Sequence, residues 1–213
     1  MRNDTMTTHA VLTGDLVGST KVARPTLEAC MDHLRTAAQT ISIWTGMEPL
    51  RFTRFRGDGW QVILNQPQFA VRAGLLLIAS LTAADDTLTT RIAIGMGSID
   101  SLGTQDLGDA SGPAFIRSGR ALDQMKPDHS FVLIDPNLNL LRNVVTSLLG
   151  ERSGRWSRLQ AQAMVLALDP ARPTLQTMAT RVGVTLQSVS YRLRSAGWPT
   201  IHHALSVLES THD

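Results

Sequence analysis

RFTRFRGDGWQVILN, Arg51 to Asn65, reads as two short strands joined by a tight turn whose tip carries Asp58 between Gly57 and Gly59. Before the tip, Phe52, Arg54 and Arg56 alternate with Thr53 and Phe55; after it, Trp60, Val62 and Leu64 alternate with Gln61 and Ile63. Period-2 alternation of this kind is the signature of strands with two distinct faces. The glycines allow a sharp turn and a close approach of the backbone by a ligand. A carboxylate between two glycines packs poorly and suits a ligand or a metal ion, although a plain surface hairpin carries the same turn residues. The rest of the chain has to decide between these.

The chain of 213 residues is long enough for a full core plus a small second domain, and its 43% hydrophobic, 18% charged composition is that of a folded globular protein. From Glu151 onward seven arginines face four acidic residues, a net +3 against −1 for everything before. A basic tail of this kind fits an anionic partner. Cys30 is the only cysteine, which excludes an intrachain disulfide. The first ten residues lack the apolar core of a signal peptide, and the longest apolar run, Ala73 to Leu81, is less than half a membrane span. These features predict a cytoplasmic protein with no membrane partner.

In chain order, His9 to Leu16 reads as a buried strand ending near Asp15 and running into the loop Val17-Gly-Ser-Thr20. Leu27, Cys30, Met31, Leu34, Ala38, Ile41 and Trp44 recur at helical spacing, so Pro25 to Thr45 is a helix, with Pro25 in its first turn and Gly46 at its end. After the hairpin come an apolar helix from Phe69 to about Leu81 and a strand, Arg91 to Ser98, whose Gly95 and Gly97 share a face that something approaches closely. A loop leads to a helix, Gly112 to Met125, with Phe115, Ser118, Gly119 and Leu122 inward; Ser130 to Asp135 is a last strand, and Pro136 opens a helix to about Leu149. This order predicts a ferredoxin-like α+β sandwich, an antiparallel sheet with helices on one face, over residues 1–150. Gly150 to Arg155, GERSGR, has the composition of a linker, and residues 151–213 form a small all-helical second domain.

In such a sheet the first strand lies beside the hairpin, so Asp15 and Asp58 converge at one edge. Two neighbouring carboxylates repel unless a cation sits between them, and hard oxygen donors suit Mg²⁺ or Mn²⁺. The small residues and free backbone N–H groups of Val17 to Thr20 suit phosphate oxygens.

Here the residues resemble a family. VLTGDLVGST resembles the opening strand and loop of class III nucleotidyl cyclase domains, FTRFRGDGW their second metal-binding hairpin, RIAIGMGS the following strand, and GDASGPAFIRSGRAL the segment carrying base-reading and transition-state residues. The RGDxxQ hairpin, RIxIGxG strand, GxAFxxSxxAL helix and helix-turn-helix tail are similar to those of the SatD-like family. The cyclase resemblance implies Asp15 and Asp58 as metal ligands and Val17, Gly18, Ser19 and Thr20 against a triphosphate. It further implies Asp109 and Arg54 as base readers and Arg120 as the transition-state arginine. Ile116 stands where active cyclases orient the ribose with an asparagine, and a branched apolar side chain makes no hydrogen bond there. Arg54 stands where they carry a lysine, and a planar fork reads a base edge differently from a point charge. Each residue also has a plainer reading: Asp109 as a loop or cap residue, Arg54 and Arg56 as a solvated strand face, Arg120 as an exposed helix charge. The resemblance also implies a homodimer.

In the tail, Ala179, Gly183 and Val189 have the spacing of a helix-turn-helix, with Met178, Val182, Val184 and Leu193 in neighbouring core positions. The stretch resembles the DNA-binding region of sigma-factor-like regulators. Docked in the usual way, Leu186 to Ala196 enters the major groove with Gln187, Ser188, Tyr191 and Arg192 outward, while Arg181 and Arg194 hold the backbone. The other reading of the tail is a packing or dimerisation unit, since +3 is a small excess for a DNA binder. Together these features predict a DNA-binding regulator with a nucleotide-binding, catalytically impaired cyclase-like domain. The alternative is an active cyclase that uses Mg²⁺ or Mn²⁺ and a nucleoside triphosphate.

Overall fold

A computed structural model describes residues 7–84, 88–104, 106–136 and 140–210. It is a mixed α+β structure with one five-stranded sheet. Strand β1 (His9–Val17) is followed by helix α1 (Arg24–Thr45), the hairpin β2 (Phe52–Phe55) and β3 (Gly59–Leu64), helix α2 (Ala70–Ala83) and strand β4 (Thr89–Gly97). Helix α3 (Pro113–Asp123), strand β5 (Phe131–Ile134) and helix α4 (Leu140–Ser153) complete the first part. The strand order is β2-β3-β1-β4-β5; every neighbouring pair is antiparallel except β4–β5, which is parallel. Pro25 lies in the first turn of α1 and Gly46 ends it in the left-handed region at φ 62°, as the sequence signals require. The start expected for α4 at Pro136 runs through residues 137–139, which lie outside the described residues.

The hairpin alternates as its sequence dictates. Trp60, Val62 and Leu64 join Ala10, Leu12, Leu16, Ile92 and Ile94 in the main core against α1 and α2. Its turn differs in detail from a Gly-Asp-Gly tip. The positive backbone angles fall on Arg56 (φ 51°) and Gly57 (φ 90°), whereas Gly59 is required because a Cβ there would lie 2.6 Å from the Phe55 ring. Gly14 of β1 is forced by packing in the same way. It stands opposite Trp60, and a Cβ there would meet the indole at 2.3 Å. The fully buried Trp60 donates its indole N–H to Thr90 Oγ1 at 3.1 Å, so it carries no unmet polar cost.

The second face of the sheet is also covered, which corrects the expectation of helices on one face. Val11, Ile63 and Ala93 are apolar there, and α3 lies over them with Phe115, Leu122 and the following Met125. The close approach expected at Gly95 is made by α3 itself: a Cβ on Gly95 would lie 2.3 Å from the Ala114 carbonyl oxygen and 2.5 Å from the Ser118 amide. Gly97 faces Arg117, which donates to the Met96 carbonyl at 2.9 Å. Phe115, Ser118 and Leu122 point inward as expected; Gly119 does not, and a Cβ there would meet nothing within 4 Å.

Helices α5 (Arg158–Ala167), α6 (Leu175–Val182), α7 (Leu186–Ala196) and α8 (Trp198–Ser210) follow. The segment read as a linker is not one: α4 continues through Ser153, and Arg152 and Trp156 grip α7. Arg152 donates to the Ala196 carbonyl at 3.1 Å and the Ser195 carbonyl at 2.7 Å, and the buried Trp156 donates to Ala196 at 3.0 Å. These bonds satisfy orphan carbonyls at a helix C-terminus, where a cation is also favoured. Ser157 and Gln160 form a reciprocal capping box that starts α5. Buried residues of α5 to α8 belong to the same apolar cluster as α1 and α2. A buried ion pair bolts the last helix to α2: Arg72, 3% exposed, donates through Nε and Nη2 to Glu209 at 2.6 and 2.8 Å and through Nη1 to the Leu168 carbonyl at 3.1 Å.

Candidate functional site

The end of β1 lies between the starts of β3 and β4, with Asp15 directly opposite Gly59 on one side and Arg91 on the other. Asp58 precedes Gly59, and its backbone carbonyl accepts from the Leu16 amide at 3.2 Å, so the two aspartates are fixed near each other by the ladder itself. Strand β1 then bends away at Gly18, in the left-handed region at φ 85°, and a single turn of 3₁₀ helix, Ser19–Lys21, follows. Ser19 Oγ donates to Asp58 Oδ2 at 2.5 Å. Val17 is 45% exposed and Thr20 is exposed, so this loop is open to solvent beside the carboxylates.

The charge paired with Asp15 is an arginine. Arg91 engages Asp15 with both arms of its fork, Nε to Oδ1 at 2.9 Å and Nη2 to Oδ2. Its guanidinium holds its proton more firmly than an ordinary arginine, first because of the hydrogen bonds to Asp15 and then through the nearby charges of Asp15 and Asp58, with burial acting the other way. The sequence places Arg91 at the start of its strand without marking a role for it. The signal was present: in an antiparallel pair, a basic residue opening one strand faces the acid that ends the other.

Beneath this row runs a directed hydrogen-bond chain. Ser118 Oγ donates to the Phe115 carbonyl at 3.1 Å, so its lone pairs accept from Thr13 Oγ1 at 2.8 Å, and Thr13 in turn accepts from Gln61 Nε2 at 2.9 Å. Thr13 and Ser118 are 2% and 0% exposed, and the chain leaves neither hydroxyl unmet. It ties β3, β1 and α3 together under the aspartates.

The remaining expected nucleotide-site residues are engaged in other contacts. Arg54 sits on the α1 side of the sheet and donates to Glu28 at 2.6 Å, which holds the Glu28 carboxyl below the usual carboxylate range. Asp109 closes its own loop, accepting from the Thr104 amide at 3.1 Å and the Thr104 hydroxyl at 3.0 Å, and these bonds depress its pKa. Arg120 and Ile116 lie one turn apart on the exposed side of α3, with Ile116 51% exposed. Within one chain, then, Asp15, Asp58 and Ser19 come together; Arg54 donates to the Gly57 carbonyl beside Asp58 from the α1 side, whereas Asp109 closes its own loop and Arg120 lies on the exposed side of α3.

The donor set suits a hard cation by type, since carboxylate and hydroxyl oxygens are what Mg²⁺ and Mn²⁺ take. Among the described residues no group of three or more His, Cys, Asp or Glu side chains gathers, and both oxygens of Asp15 are taken by Arg91. Asp15 and Asp58 are the residues that would hold a divalent ion, and Arg91 engages one of them.

In the tail, Thr185 caps α7 by accepting from the Ser188 amide at 3.2 Å, and Gly183 turns the chain out of α6 at φ 72°. Val189, Leu193 and Ala196 are the buried stripe of α7. The opposite stripe, Gln187, Tyr191 and Arg194, is exposed at helical spacing, with Tyr191 74% exposed, and Arg181 on α6 is exposed as well. Ser188 is half-buried. Arg192, expected outward, is also half-buried, with Nη1 shielded from solvent, because it lies between the buried and exposed stripes.

No family model matches the sequence, and no curated protein matches it. Among solved structures, the chain is similar to the guanylyl cyclase Cya2, at 16% identity over 59% of this chain and 74% of that one, with a TM-score of 0.39. It is also similar to a bacterial light-regulated adenylyl cyclase, at 17% identity over 60% and 74%, with a TM-score of 0.38. Among the described residues no helix is long and apolar enough to cross a membrane.

Proposed function

We propose that this chain is a DNA-binding regulator whose sheet domain binds a nucleotide, with a divalent ion, at the Asp15–Asp58 end, and that it does so with impaired or absent catalysis. The observation that carries the nucleotide reading is the convergence of Asp15, Asp58 and Ser19 beside the solvent-open turn at Gly18. A strand order in which β2-β3-β1-β4 form an antiparallel unit supports a ferredoxin-like arrangement, with β5 added at one edge. Impaired catalysis is supported by Ile116, exposed where a ribose-orienting amide is expected, and by Arg54, committed to Glu28 rather than free to read a base. The capped pair α6 and α7, with Gln187, Tyr191 and Arg194 presented on one stripe, supports the DNA reading, with Arg181 and Arg194 as phosphate contacts. On this reading residues 1–150 and 151–213 are the nucleotide and DNA parts, and the active unit is a homodimer.

Fluorescent ATP and GTP analogues with Mn²⁺ test the sheet site: saturable binding lost in Asp58→Asn is expected, and binding indifferent to both aspartates refutes it. A mobility-shift assay on genomic fragments tests the tail. Salt-sensitive binding that weakens in Arg194→Ala is expected, and no DNA binding at low salt refutes that part. Release of pyrophosphate from any nucleoside triphosphate would turn the assignment to an active cyclase.

A further inference from the structure

We infer that Arg91 is the resident cation of the two-carboxylate site and sets its preference against divalent ions in the free protein. This deepens the nucleotide-and-metal reading and rests on it. Two carboxylates held near each other are favoured in their charged form by positive charge beside them, and two cations are available: a divalent ion from solution or a guanidinium from the chain. The chain supplies its own. Arg91 faces Asp15 directly in the β1–β4 ladder, so its position is imposed by backbone register and not by side-chain choice. Both arms of the fork are used on Asp15, the geometry in which arginine binds a carboxylate most firmly. The pair is also partly shielded from water, with side-chain exposures of 32% for Arg91 and 26% for Asp15, so screening removes less of it than at a fully exposed bridge.

Asp58 feels the same charge, and its Oδ2 is occupied by the Ser19 hydroxyl. With Arg91 in place the three groups sum to −1. A divalent ion entering this site meets a guanidinium of like sign and competes with two charge-assisted hydrogen bonds for Asp15. Removing the guanidinium leaves −2, with Asp15 released and Asp58 held only by the Ser19 hydroxyl, which is a better divalent site than the native one.

The test is Mn²⁺ binding to the full-length protein without nucleotide, followed by the electron paramagnetic resonance signal of free Mn²⁺. Arg91→Met is expected to bind Mn²⁺ at least about tenfold more tightly than the wild type, the scale set by removing one unit charge beside a divalent ion in a wet site. The gain should vanish in the double variant with Asp58→Asn, and Arg91→Lys, which keeps the charge and loses the fork, should fall between. Arg91→Gln serves as the second neutral variant if Arg91→Met does not fold. Mn²⁺ binding by the neutral variant that is no tighter than wild type, or absent in the millimolar range, overturns the inference. The nucleotide titrations judge the underlying site separately, because they compare Asp58→Asn with wild type and do not involve Arg91.

Discussion

Replacing Glu209 by alanine is expected to be among the most destabilising single changes at the junction between the sheet and the tail helices. Arg72 is 3% exposed, and two of its three hydrogen bonds end on the Glu209 carboxylate, at 2.6 and 2.8 Å. After the change the guanidinium stays buried with only the Leu168 carbonyl to satisfy it. Stripping one partner from a buried pair costs about 3 to 5 kcal/mol. The Glu209 side chain is 16% exposed, so water can enter the vacated space, and the lower end of that range, about 3 kcal/mol, is the expected value. For a chain of this size that corresponds to a fall of roughly 6 to 12 °C in Tm. Thermal and urea unfolding followed by circular dichroism measure it directly. The double variant Arg72→Met with Glu209→Leu should recover most of the loss, because the cost lies in the orphaned charge and not in the absence of the pair. If Glu209→Ala shifts stability by less than about 1 kcal/mol, the bolt between α2 and α8 contributes no more than a surface bridge, and the reasoning fails.

Gly95→Ala places a methyl group 2.3 Å from the backbone of α3, which cannot yield as a side-chain tip can. A loss of at least about 1 to 3 kcal/mol is expected in urea unfolding, and a neutral result would mean that α3 sits farther from β4. Thr13→Val breaks the chain from Gln61 to Ser118 at its centre while conserving shape, and should cost about 1 to 3 kcal/mol as Ser118 and Gln61 lose a partner. A double-mutant cycle with Ser118→Ala should show strong coupling, and additive losses would refute the chain. Asp109 has a depressed folded pKa, so the stability it contributes is complete above the unfolded value of about 3.9 and is lost as pH falls through the lower folded value. The wild type should therefore lose stability more steeply than Asp109→Asn on the acid side, and identical acid limbs would refute the role of Thr104 in holding this carboxylate.

Much of the architecture was written locally. The hairpin from Arg51 to Asn65, the limits of α1 at Pro25 and Gly46, and the bounds of α7 follow from alternation, caps and breakers that act within a few residues. Asp15 and Asp58 were legible as a pair because a hairpin beside the first strand leaves few places for them. What local signals could not assign was anything set by a partner distant in sequence. Gly95 read as a face that something approaches closely, and only packing names that something as α3; GERSGR read as a linker, whereas Arg152 within it and Trp156 just after it cap α7. Composition registers that such residues are small or polar, and only packing says against what. The deciding case is Arg91. Its type and position were visible, but strand register alone placed it across from Asp15, where its guanidinium engages the carboxylate.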